Sequence, residues 1–185
     1  ADDCTPVMAA DTEEDLQRAS DEMLRGYNAF YSANGLKLNE SKCNLLVIRP
    51  GKKTMTLTCA GQDEVESIRL LGLYIDNKLT YRQHTEIVRG RLKAKIEALE
   101  KVQGKASLNT MKEVTVALVH STIEFMAELY LRDVTNQKRI QKMLNDAMRM
   151  LLDKPVGDSC TEMLNTLGWL NVANMYRWVC IRTMR

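Results

Sequence analysis

Two adjacent carboxylates, Asp2 and Asp3, follow Ala1 at the start of the chain. On a tight strand-turn-strand such a pair points toward one spot and binds hard divalent cations through oxygen. In a two-metal site the cations sit about 3.5 to 4 Å apart, one activating an attacking hydroxyl and the other stabilising a leaving pyrophosphate. Adjacent aspartates alone fit an acidic terminus equally well, so the pair gains meaning only from the residues downstream of it. The five cysteines, Cys4, Cys43, Cys59, Cys160 and Cys180, are widely spaced, with no Cys-x-x-Cys and no histidine pair beside them. That spacing argues against a zinc site or a disulfide framework and for a reducing compartment. His84 and His120 stand 36 positions apart, and each reads as a solvated or hydrogen-bonded surface residue rather than a ligand.

Charge is unevenly distributed. Residues 1–40 hold nine acids and three bases, which leaves 15 acids and 23 bases of the chain's 24 and 26 for residues 41–185. The acidic end can hold cations and the basic remainder can face phosphate, although both also suit plain solvated surfaces. With 185 residues, 45% hydrophobic and 27% charged, the chain has the composition of a folded protein rather than a disordered one. No apolar run approaches the roughly 20 residues needed to span a bilayer as a helix. The first residues, ADDCTP, lack the basic start and apolar core of a signal peptide.

The elements that must position these residues change character along the chain. Thr12 is a helix-capping candidate with Asp15 three positions on, and apolar or aromatic residues recur at Leu16, Ala19, Met23, Tyr27 and Phe30 until Asn34-Gly35. From Asn44 to Tyr81 short β-type runs alternate with turns: NLLVIR, Pro50-Gly51-Lys52-Lys53, MTLTC, Gly61-Gln62-Asp63 and SIRLLGLYI. Beyond Asp76 the chain reads as helical. One helix covers about Arg82–Gln103, with Val88, Leu92, Ile96, Leu99 and Val102 inward and Gly104 at its close. A second begins at Asn109 and is apolar around most of its circumference, which places it at the centre of a bundle. A third runs from Thr135 to about Asp153 with Ile140, Leu144, Ala147 and Leu151 inward. Two shorter ones, around Thr161–Leu167 and Val172–Met184, flank Gly168-Trp169. The expected fold class is α+β: residues 1–80 a helix on short antiparallel strands, residues 81–185 an all-α bundle.

The order Ala-Asp-Asp, amphipathic helix, GLKLNESKCNLLVI, β-hairpin, RLLGLYIDNKLTY and basic helices resembles the palm and thumb of reverse transcriptases of non-LTR retrotransposons. RIQKMLNDAMRMLL and the late Leu-Gly-Trp-Leu are similar to the family's thumb and the region after it, so the resemblance spans essentially the whole chain. It implies a palm from the Ala-Asp-Asp turn onward, followed by a thumb. Asp2 and Asp3 are then the Mg²⁺-binding pair. Gly35, Leu36, Asn39 and Lys42 match the motif after the helix, where Lys42 stabilises charge on the leaving pyrophosphate. Leu71, Gly72 and Leu73 fall in the primer grip, the glycine letting a turn approach the primer backbone without a Cβ.

The basic helices would hold template and primer through phosphates. Arg82, Arg89, Arg91, Lys93, Lys95, Lys101 and Lys105 form one group, and Lys138, Arg139 and Lys142 a second. The implied partners are an RNA template, a DNA primer and deoxynucleotides, inside the cell and, for the parent element, in the nucleus. A third metal-binding aspartate and the fingers belong upstream of residue 1 in this family, so these 185 residues are expected not to polymerise on their own. Two other readings remain at this level: a non-catalytic nucleic-acid-binding module, and a helical protein-interaction domain built on Met-rich helices.

Overall fold

The computed structural model describes residues 4–51 and 55–184. The chain divides into two compact units, one formed by Ala1–Leu70 with Ile75–Leu79, the other by Leu71–Tyr74 with Thr80–Arg185. The fold class is α+β.

The first unit is built on α1 (Glu13–Ala33). Thr12 accepts the Asp15 backbone N–H and starts it, satisfying one of the donors that a helix leaves open at its amino end. It ends in a Schellman arrangement. Gly35, at φ +69°, donates to Ser32 O, and Leu36 donates to Tyr31 O at 2.8 Å. The Gln17 side chain docks α1 on β2 (Thr58–Cys59) by donating to Thr58 O at 3.0 Å and accepting Thr58 N–H at 2.8 Å.

The strands are shorter than the apolar runs that announce them. NLLVIR contributes only β1 (Leu45–Leu46), and MTLTC only β2. β3 (Gln62–Val65) pairs with β2 antiparallel and with β1 parallel, so the three-stranded sheet is mixed where antiparallel strands were expected. The β2–β3 turn sits at Ala60-Gly61, both at positive φ, and Gln62 and Asp63 are already in the strand. SIRLLGLYI is likewise two strands, β4 (Ser67–Leu70) and β5 (Leu73–Asp76), which pair in a two-stranded sheet. Arg49 ties the unit together by ion pairs to Glu13 and, at 2.6 Å, to Glu64, while Glu13 also accepts Met55 N–H at 2.9 Å.

The second unit has its core between α2 (Arg82–Glu100) and α6 (Val134–Leu152). Val88, Leu92, Ile96 and Leu99 of α2 and Ile140, Leu144, Ala147 and Leu151 of α6 are all buried, as their spacing requires. Val102 lies beyond α2 and is 42% exposed, because the helix closes at Glu100. Asp133 caps α6, accepting N–H groups of Thr135 and Asn136, and Asp153 ends it in the left-handed conformation.

The apolar segment from Asn109 is not one helix. It comprises α3 (Leu108–Thr115), a π turn at Val116–His120, α4 (Ser121–Glu124) and α5 (Ala127–Tyr130), with a break at Phe125-Met126 where Met126 takes φ +55°. α7 (Cys160–Leu167) and α8 (Val172–Thr183) complete the unit. Among the described residues no strand follows Asp76, and no helix is long and apolar enough to cross a membrane.

Both histidines are core residues of this unit, which corrects the surface reading. His84 is fully buried and His120 is 9% exposed. A neutral imidazole has an apolar body and can replace a hydrophobe once one nitrogen is satisfied, and its spacing gives no sign of which role it takes.

Candidate nucleic-acid interface

Four residues of the second unit, Leu71–Tyr74, carry the segment expected to grip a primer. Leu71 (φ +48°) and Gly72 (φ +90°) are the central pair of a turn with both residues left-handed, the type that matches strand twist in a two-residue hairpin. Leucine is disfavoured there because its Cβ crowds the backbone. Leu71 is nevertheless 82% exposed, so it gains nothing from burial to offset that strain.

Gly72 lies over the Phe125 ring: a Cβ at this position would stand 3.5 Å from Phe125 Cζ. Leu73 is buried, and Tyr74 N–H donates to His84 Nδ1 at 3.4 Å. The His84 ring meets Tyr130 edge-on at 5.0 Å, and burial, aided by the charge of Arg91, holds its pKa below the ordinary value. Tyr130 donates to Ile123 O at 2.7 Å, and burial pushes its phenol pKa up. Asn136 closes the junction, donating to Thr80 O at 2.9 Å and Tyr130 O at 3.0 Å. The Tyr74–His84 bond links this cluster to the strand that leaves the hairpin tip, while the buried His84 Nε2 has no hydrogen-bond partner among the described residues. Sequence periodicity gave no signal for Asn136 or His84 in this role.

The ten candidate phosphate-binding cations fall into two sets. Arg89 and Arg139 both donate to Glu86, at 2.6 and 3.3 Å, and Lys93 lies 3.8 Å from Glu97. Lys95 turns to the α4 side, donating to Leu118 O and Thr122 Oγ1. The other six, Arg82, Arg91, Lys101, Lys105, Lys138 and Lys142, are exposed or half-buried and make no ion pair with a described residue. Lys138 and Lys142 are one turn apart on the outer side of α6.

Lys42 belongs to the first unit and ends a short 3₁₀ turn, Glu40–Lys42, opened by Asn39. Its side chain is exposed, and its carbonyl accepts from Asn44 Nδ2 at 3.1 Å. Asp2 and Asp3, and with them the expected Mg²⁺ site, lie outside the described residues. Among the described residues no three His, Cys, Asp or Glu side chains gather as a metal ion would require. No family model, curated protein or solved structure matches the chain.

Proposed function

We propose that the chain is the palm segment and thumb of an RNA-directed DNA polymerase similar to those of non-LTR retrotransposons, and that its second unit holds the primer–template duplex. The observation that supports this reading best is the Leu71-Gly72 turn. A strained, exposed leucine and a left-handed glycine, followed by the buried Leu73 and, after one strand, by a helix whose Arg82 and Arg91 make no ion pair with a described residue, suit close approach to a nucleic-acid backbone. Asp2 and Asp3 are the residues proposed to hold Mg²⁺, which when bound supplies nucleotidyl-transfer chemistry. Lys42 is proposed to meet the pyrophosphate, and Arg82, Arg91, Lys138 and Lys142 the duplex phosphates.

Fluorescence anisotropy on a labelled RNA–DNA hybrid across a salt series tests duplex binding. Affinity should be sequence-independent and fall with salt, by about 0.9 in log K per log salt for each phosphate neutralised on B-form DNA. Replacing Arg82, Arg91, Lys138 and Lys142 by glutamine should flatten that slope and leave the fold intact. A photo-crosslinking amino acid at position 71 separates a polymerase from a generic binding module. The polymerase reading expects crosslinks confined to the primer's 3′ end; a module would crosslink along the duplex. A folded sample with no binding at low salt favours an interaction bundle instead, for which the exposed Trp178, Ile181 and Met184 of the α8 end offer a surface.

A further inference from the structure

An aromatic ring, Phe125, stands beside the Leu71-Gly72 turn. It is 43% exposed, and the missing side chain of Gly72 lets its edge lie against the turn: a Cβ there would stand 3.5 and 3.6 Å from Cζ and Cε1. Leu71, on the same turn, is exposed next to it. Backbone geometry rather than burial puts the ring there. Phe125 leaves α4 at ψ 113°, and Met126 follows at φ +55°, a left-handed conformation that side-chain-bearing residues seldom adopt. The break leaves the Ile123 carbonyl without its helical donor, and the buried Tyr130 hydroxyl donates to it instead at 2.7 Å. Strained backbone persists where its surroundings hold it, and it concentrates at ligand sites.

The charge beside the ring comes from α2. Arg91 and Lys95 lie about two and about three turns beyond His84, on the same face of that helix. At one end of this face His84 meets Tyr130, and at the other Lys95 donates to Leu118 O and Thr122 Oγ1. Residues 118–130 therefore run antiparallel along it, and Arg91 falls level with the stretch between Thr122 and Tyr130 that contains Phe125. Arg91 is exposed and makes no ion pair with a described residue. Both acceptors of Lys95 are neutral, so its charge adds to that of Arg91. Of the two acids on Ser121–Tyr130, Glu124 pairs with Arg182 at 3.7 Å. Glu128, half-buried past the break, is the one left to oppose the two cations.

An exposed ring flanked by an unpaired guanidinium fits one ligand chemistry. Inorganic phosphate gains nothing from Phe125, and an apolar peptide gains nothing from Arg91. A nucleotide with an unpaired base uses both, its base stacked on the ring and its phosphate at the guanidinium. A base inside a duplex offers no free face, so the nucleotide that fits is one at a strand end. We propose that Phe125 and Arg91 form a subsite for an unpaired nucleotide at the 3′ end of the primer strand, with Leu71 packed beside its sugar. The inference rests on the reading of the second unit as the holder of the primer–template duplex, and adds to it a place for a primer end that has frayed or is mismatched.

The test uses the full 185-residue chain and two RNA–DNA hybrids, one blunt and one whose DNA strand ends in a single unpaired 2-aminopurine at its 3′ end. The extended hybrid should bind about ten-fold more tightly than the blunt one, the weight of one base stacked on an aromatic ring. Its 2-aminopurine emission should change saturably, while the same base placed within the duplex should not respond. Phe125→Leu should remove the advantage and leave blunt binding unchanged, and Phe125→Tyr, which restores a ring, should keep it even if the leucine variant melts early. Arg91→Gln should lower the extra salt dependence that the added phosphate brings, about 0.7 in log K per log salt for a single strand. Equal binding of the two hybrids, or an advantage that survives Phe125→Leu and is absent from Phe125→Tyr, would overturn the subsite while blunt binding kept the duplex reading intact. Loss of blunt binding alone, with a 2-aminopurine response that still depends on Phe125, would instead remove the duplex reading and keep a single-strand site. No binding of either hybrid by a folded sample would overturn both.

Discussion

Lys95 donates from Nζ to the carbonyl oxygen of Leu118 at 3.0 Å and to Thr122 Oγ1 at 2.5 Å, across the interval between α2 and the irregular helix that faces it. Leu118 lies within the π turn, and Thr122 Oγ1 donates to the same carbonyl at 2.7 Å. A residue whose charge and position in sequence match those of a phosphate ligand is thus occupied in bracing a distorted helix. Lys95→Met keeps the stem and removes the donor. It should lower stability by about 1–2 kcal/mol, the range for a hydrogen bond from a charged group that is part-exposed, while leaving the salt dependence of hybrid binding unchanged. Urea unfolding followed by circular dichroism measures the first quantity and anisotropy the second. A flattened salt slope with unaltered stability would return Lys95 to the duplex.

Glu86 restrains Arg89 and Arg139 together, and its removal is predicted to strengthen polyanion binding. Both pairs are partly exposed, so Glu86→Gln should change stability by less than about 1 kcal/mol. Two released guanidiniums, each able to neutralise a phosphate, would steepen the log K against log salt slope by up to about 1.8. Weaker or unchanged binding would show that these arginines face away from the duplex.

The hairpin tip offers opposite stability effects at neighbouring positions. Leu71→Asn replaces a strained residue with one that tolerates positive φ and should stabilise the chain by about 0.5–1 kcal/mol, as negligible apolar burial is lost. Gly72→Ala should destabilise by about 1–2 kcal/mol. That cost is backbone strain, because the nearest atom to the new Cβ, Phe125 Cζ at 3.5 Å, is at ordinary contact distance. If Leu71 meets the primer, the stabilised Leu71→Asn variant will nonetheless bind hybrid less well, a stability and function trade-off readable by thermal melts alongside anisotropy.

What was legible in the sequence is local. Thr12 with Asp15, Gly35, and the spacing of Ile140, Leu144, Ala147 and Leu151 each act within a turn or two of chain, and the structure uses each as expected. The interruption at Val116–Met126 was hidden because a segment apolar on every side keeps the same hydrophobic pattern whether its phase is continuous or slips. The apolar runs exceed the strands in length for a related reason: they mark burial, whereas ladder length depends on a partner far along the chain, such as Glu64 opposite Leu45. The candidate interface shares that limit. Whether Arg139 is free depends on Glu86, 53 residues away, and no spacing rule reports such a pair.

Arg49 is the centre of the first unit's charge network, with Glu13 and Glu64 as its partners and side-chain exposures of 15%, 16% and 10%. Desolvation disfavours the guanidinium charge, but the bonds to Glu64 and Glu13 outweigh it and its pKa is raised. Arg49→Met would leave two carboxylates crowded in a part-dry site, at a cost of about 3 kcal/mol. Adding Glu13→Gln and Glu64→Gln should recover part of that loss. Equal stability of the single and triple variants would show that the charges act independently.

His120 contributes a pH dependence to the stability of the second unit. Its ring packs edge-on to Trp169 at 4.5 Å, its Nε2 has no hydrogen-bond partner among the described residues, and burial lowers its pKa to about 4. In the unfolded chain the imidazole titrates near 6.5, so between these values the unfolded state binds more protons. The stability linked to neutral His120 is therefore fully present above about pH 6.5, declines as pH falls toward 4, and is lost below that. By about pH 5 the loss should be roughly 2 kcal/mol relative to neutral pH. His120→Phe retains an aromatic edge against Trp169 without a titrating group. Urea unfolding at about pH 7.5 and about pH 5 should show a smaller drop for the variant than for the parent chain. His84, buried and lowered in the same direction, is common to both proteins and cancels in the comparison. The same pH dependence in both proteins would mean that His120 is already protonated in the folded state, or solvated enough that burial does not control it.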